Sequence, residues 1–142
     1  MLKMIISCGL GMSSSALAVH MQKEIVEKGW ENKVQVEFLP FPLLMTKQEE
    51  LDADIAILCP HLMYYAKNES KNEKIKIPMY IIPSLMYGKM ELVDLMEDAE
   101  DLLALNQNNN EKLWHFEEEK LLDIKRNVSH RRWIKTHPIQ GK

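Results

Sequence analysis

Cys8 stands at the end of a short apolar run, Leu2 to Ser7 (LKMIIS), and Gly9, Leu10, Gly11, Met12, Ser13, Ser14 and Ser15 follow it. A cysteine in that company is equipped for nucleophilic chemistry on phosphorus. Glycines let backbone amides converge on one point, serine hydroxyls add donors, and a helix beginning here adds partial positive charge, so the loop suits a dianionic phosphate. The same surroundings favour thiolate over thiol, which would make Cys8 a nucleophile at neutral pH. In this set the amides contribute more than the side chains, and Met12 reads as a packing residue. The plainer alternative is a buried cysteine beside serines that only cap a helix; Gly/Ser loops of this kind also bind nucleotides or nothing.

The elements that position the loop follow from hydrophobic spacing. Leu2 to Ser7 reads as a strand, and Ala16, Leu17, Val19, His20, Ile25 and Val26 fall at helical spacing up to a stop at Gly29. Lys33 to Leu39 alternates as a half-buried edge strand, Pro40 and Pro42 break the pattern, and a short helix or a loop covers Leu43 to Leu51. Ala53 to Cys59 (ADIAILC) has the continuous apolar character of an inner parallel strand, with Pro60 placed to open a helix over His61 to Ala66. Ile75 to Ile82 gives a fourth strand, Pro83 to Lys89 a loop, and Met90 to Leu105 an amphipathic helix. Strands alternating with helices predict an α/β fold, a parallel sheet with right-handed crossovers. Ligands of such sheets bind outside the carboxyl ends of the strands, where Cys8 would sit. Cys59, Pro60, His61, Ser84, Tyr87 and Gly88 follow the third and fourth strands and are candidates for the border of that site. His61 at a helix opening can donate to a phosphoryl group when protonated, and a plain surface histidine is the competing reading.

The 142 residues are 46% hydrophobic, enough for one core, and a formal charge of -3 gives no field that would attract nucleic acid. That charge is unevenly spread. Residues 1–105 hold 10 Lys+Arg against 16 Asp+Glu, whereas residues 106–142 hold 8 against 5, with three of the five His and two of the three Trp. The sequence therefore divides into a domain, 1–105, and an appendage, 106–142: the polar linker Asn106 to Asn110 (NQNNN), a helix over Glu111 to Arg126, and a basic tail that reads as loose or partner-ordered. No apolar run approaches the roughly 18 residues of a membrane span, and no signal peptide is evident, so a cytoplasmic location is expected. Cys8 and Cys59 are too few for a disulfide framework, and with the scattered histidines they give no metal-ligand spacing.

Low-molecular-weight tyrosine phosphatases also carry a Cys at a strand end, with an Arg where this chain has Ser14. Here no arginine precedes Arg126, and without a guanidinium to grip the phosphoryl oxygens hydrolysis is poorly supported. A closer likeness exists. Cys8 with Gly11-Met12-Ser13 and Ser15 behind it, the Ala53-Asp54 strand ending in Pro60, and Ser84-Leu85-Met86-Tyr87-Gly88-Lys89 before the last helix occur in family-like order and separation. Over residues 1 to about 105 the sequence resembles the enzyme IIB component of the bacterial sugar phosphotransferase system, lactose/cellobiose (chitobiose) class. Cys59 and His61 depart from the family pattern, which has Gly before the Pro and Gln after it.

The resemblance implies a four-stranded parallel sheet in the order 2-1-3-4 flanked by helices, to which this chain adds a C-terminal helix and tail. It also implies a phosphoryl relay: a IIA phosphohistidine donates to Cys8, and the phosphocysteine passes its phosphoryl group to a β-linked disaccharide held by the membrane component IIC. No cofactor is implied beyond the covalent phosphate, and contact with the membrane would run through IIC alone. A non-catalytic binding module on the same fold, or a phosphatase-like thiol enzyme, are the alternatives.

Overall fold

The computed structural model of the chain describes residues 1–7, 12–83, 85–86, 91–107, 111–116 and 126–136; for residues 12–18 it describes the backbone only. Strand β1 (Leu2–Ser7) leads to helix α1 (Met12–Glu27) and strand β2 (Val34–Phe38). Helix α2 (Phe41–Thr46) precedes β3 (Ile55–Leu58), and a 3-10 turn (Pro60–Leu62) runs into α3 (Met63–Glu69). Next come β4 (Met79–Ile81), α4 (Leu92–Leu105), β5 (Leu113–Trp114) and α5 (His130–Thr136). The sheet order is β2-β1-β3-β4-β5 with every pair parallel, so the four expected strands take the expected order and a fifth is added.

Alternation along the strands builds a core on each face. Met4 and Ile6 of β1, Ile55 and Ile57 of β3 and Tyr80 of β4 join Met21 and Ile25 of α1 and Leu92, Leu95, Ala99 and Leu102 of α4. Ile5, Ala56, Leu58, Met79 and Ile81 point the other way, into a cluster with Phe41, Leu44, Leu62 and Ala66. The result is three layers, helix, sheet and helix. Helix α1 ends where Gly29 takes φ 67, a conformation glycine adopts without steric cost, while the Gly29 amide donates to Val26 O and the Trp30 amide to Ile25 O.

Three expectations are corrected. The short helix or loop expected over Leu43 to Leu51 is a helix over Phe41–Thr46, because proline is tolerated before and within a first helical turn. The fourth strand is shorter than Ile75 to Ile82, because the amides of Lys76 and Ile77 donate to the buried Gln48 Oε1 and take no part in the sheet. The helix expected from Glu111 begins as strand β5: Met79 N donates to Lys112 O, Trp114 and Phe116 enter the first cluster, and Leu113 packs on the second. Spacing that suits a helix over a longer stretch is here a two-residue alternation. Residues 117–125 of that expected helix lie outside the described residues, but the start of the tail does not: residues 130–136 form α5.

Candidate functional site at the carboxyl edge of the sheet

The strand order fixes where a ligand crevice can form. From β1 the chain moves to β2 on one side and then to β3 on the other, so the order reverses between β1 and β3, and the crevice opens at their carboxyl ends. Backbone bonds hold those ends level. Cys59 N donates to Ser7 O at 3.2 Å, Ile82 N to Leu58 O at 3.0 Å, and Leu39 N to Ile6 O at 3.1 Å. Ser7 is in register with Leu58, and four residues separate its strand from the first turn of α1, whose amides have no partner within the helix.

Cys8, Gly9, Leu10 and Gly11 lie outside the described residues, as do Ser84, Tyr87 and Gly88. Met12, Ser13, Ser14 and Ser15 form the first turn of α1. Cys59, Pro60 and His61 are described, and they flank the point where the chain leaves β3 beside the end of β1. Cys59 is buried, and its carbonyl accepts from Leu62 N as the 3-10 turn opens; His61 is exposed. Ser7, which sequence reasoning passed over as part of a strand, is fully buried, and its Oγ finds no hydrogen-bond partner among the described residues. Its position before Cys8 was legible in the sequence, but its isolation was not.

The matched region identifies the chain. Residues 3–98 match the family model described as "PTS system, Lactose/Cellobiose specific IIB subunit". The chain belongs to the lactose/cellobiose-specific IIB family of the sugar phosphotransferase system. Its role is accordingly that of a sugar phosphotransferase. No curated protein matches the chain. Among the described residues no helix is long and apolar enough to cross a membrane.

Beyond the matched region, the C-terminal residues build a polar cluster that sequence reading did not foresee. Arg126 is 1% exposed and ion-pairs with the fully buried Asp98 of α4, Nη1 to Oδ2, at 2.7 Å. Arg126 Nη2 donates to the Tyr80 hydroxyl at 2.7 Å, and that hydroxyl donates to the same Asp98 oxygen at 2.7 Å. Phe116 stacks on His130 with ring centroids 3.8 Å apart and meets Tyr80 edge-on at 6.4 Å. The start of α5 is capped from α4, with His130 N donating to Asp98 Oδ1 at 2.7 Å and Ser129 N to Asp94 Oδ1 at 3.1 Å. Around the rim Arg131 pairs with Asp101 and Glu97, and Arg132 with Glu97. The signal available in the sequence was the acidic row Asp94, Glu97, Asp98 and Asp101, at i, i+3, i+4 and i+7 on one side of a helix whose other residues are apolar save Glu100.

Burial pushes the Asp98 carboxyl above its ordinary value of 3.8, outweighing the opposing pull of Arg126, the His130 amide and the Tyr80 hydroxyl. Burial first, and then the Asp98 charge, raise the Tyr80 hydroxyl well above 10.0, so it remains a donor at neutral pH. A carboxyl raised on folding binds more protons in the folded state, so its contribution to stability is greatest below the unfolded value and declines as pH rises through the folded one. Urea titrations of the wild type and Asp98→Asn at several pH values above 3.8 should therefore show the stability difference shifting against the wild type as pH rises. A difference that moves the other way would contradict the stated balance.

Proposed function

We propose that the chain carries a phosphoryl group on Cys8 between a IIA phosphohistidine and a β-linked disaccharide bound by the membrane component IIC, on the cytoplasmic side. In the first step Cys8 Sγ, as thiolate, attacks phosphorus; the S–P bond forms, the P–N bond breaks, and the imidazole leaves. In the second step a sugar hydroxyl attacks the phosphocysteine; the O–P bond forms, the S–P bond breaks, the thiolate leaves, and the hydroxyl proton goes to solvent or a nearby base. The amides and hydroxyls of residues 9–15 would neutralise the phosphoryl charge, and catalysis would rest on positioning and electrostatics.

The observation that carries this reading is the family match over residues 3–98, which begins just ahead of Cys8 and spans every residue of the proposed loop. The sheet geometry supports it, because the strand order reverses between the strands ending at Ser7 and Leu58. Transfer is favoured over hydrolysis by the arginines: Arg126 is committed to Asp98 and Tyr80, and Arg131 and Arg132 to α4 carboxylates. We assign phosphoryl carriage to residues 1–105; of the appendage 106–142, residues 111–116 and 126–136 would buttress that unit. The relay is tested by reconstituting the chain with phosphorylated IIA and vesicles containing IIC. Phosphorylated cellobiose- or lactose-type sugar is expected only when all three are present, and sugar phosphorylation that persists without this chain would refute the reading.

A further inference from the structure

Arg126 lies 28 residues beyond the matched region, yet its guanidinium reaches back to the segment that leaves β4. Its Nη1 lies 3.3 Å from the Met86 sulfur, while the same nitrogen is held at 2.7 Å by Asp98 Oδ2 and at 2.8 Å by Val128 O. Met86 is 2% exposed and packs in the cluster that contains Met4, Ile6, Tyr80 and Ile82. Pro83, also buried, is where the chain leaves the carboxyl edge shared with Ser7 and Cys59. Two buried points, Pro83 and Met86, thus anchor the chain as it leaves β4, and the second leans on an arginine fixed to α4. Thioether sulfur is a weak acceptor, so the contact locates the methionine and adds little stability.

We propose that Arg126 is a positioning residue for phosphoryl transfer at Cys8, acting through Met86 to fix the segment after β4 at the edge of the crevice. The inference rests on the Cys8 reading above. It gives the C-terminal appendage a task at the site without contact to the phosphoryl group.

The test uses the full chain and phosphoramidate, a small donor with a P–N bond that needs no docking protein. Labelling is followed in the wild type, Met86→Leu, Arg126→Lys and the control Arg131→Ala, each well below its own melting temperature. Met86→Leu conserves volume and is expected to fold even if Arg126→Lys does not. Both are expected to lower the saturating labelling rate about tenfold while the half-saturating donor concentration holds, the size of effect that slight misplacement of a site produces. Arg131→Ala removes rim ion pairs of the same appendage and is expected to label within about twofold of the wild type, as loss of exposed pairs costs stability rather than geometry. If Met86→Leu labels at the rate of Arg131→Ala, the positioning role is overturned while the Cys8 reading stands. If the wild type itself takes up no label, the Cys8 reading falls and this inference with it.

Discussion

Cys8→Ser is expected to reduce phosphoryl acceptance by roughly 10³-fold or more, whereas Cys59→Ser is expected to leave it within a few-fold of the wild type. A serine hydroxyl ionises far less readily than a thiol. No described residue is placed as a base to activate it, so the substitution removes the nucleophile and not merely its affinity. Cys59 is the informative comparison because it is the chain's second cysteine, at the end of the neighbouring strand, with its amide bonded to Ser7. It is buried at the N-terminal boundary of the 3-10 turn, where its carbonyl accepts from Leu62 N. Acceptance is read as labelled phosphate retained after incubation with phosphorylated IIA. Loss of label in Cys59→Ser with full retention in Cys8→Ser would reverse the assignment.

The second large effect concerns stability. Arg126→Met is expected to cost about 3 to 5 kcal/mol, because it leaves the Asp98 carboxylate buried without its cation while its three donors shrink to two, the Tyr80 hydroxyl and the His130 amide. The neutral pair Arg126→Met with Asp98→Asn is expected to recover much of that loss, since a buried ion pair owes most of its apparent strength to the penalty of breaking it. Equilibrium urea unfolding of the two variants and of Asp98→Asn alone gives the coupling directly. Additive effects of the two substitutions would contradict the geometry, in which Arg126 and Asp98 meet at 2.7 Å with both side chains out of solvent. The same logic separates this pair from Arg131 and Arg132, whose side chains are more than 40% exposed and whose pairs are each worth no more than about 1 kcal/mol.

The central strands were legible because their apolar runs have no competing explanation. Ile55 to Leu58 is buried on both sides of the sheet, and a fully buried parallel strand reads as continuous hydrophobic sequence. Strand β2 alternates because only one of its faces is covered, with Val34 and Val36 buried and Gln35 and Glu37 exposed. The charge contrast behind the division at residue 105 has a structural counterpart. The basic residues of the appendage answer acidic ones on α4, so the charges that made the two parts look different are those that join them.

The carboxyl edge where β1, β3 and β4 end followed from topology alone, and the bonds from Cys59 to Ser7 and from Ile82 to Leu58 bring those strand ends level; Cys8 lies outside the described residues. Arg126 was not legible as a core residue, because an arginine that closes a stretch as charged as Glu117 to Lys125 (EEEKLLDIK) has the composition of a solvated surface. Its partners Tyr80 and Asp98 lie 46 and 28 residues away, in the apolar strand β4 and on the acidic side of α4.

The most direct measurement is the chemical identity of the phosphorylated side chain. After incubation with phosphorylated IIA, the protein is trapped at neutral pH, digested, and read by phosphorus NMR and fragmentation mass spectrometry. The expected result is one phosphoryl group on the sulfur of Cys8, with the shift of a thiophosphate ester, lost when unlabelled acceptor sugar and IIC are supplied. Phosphate on His61, on one of the serines at 13–15, or on Cys59 would contradict the account.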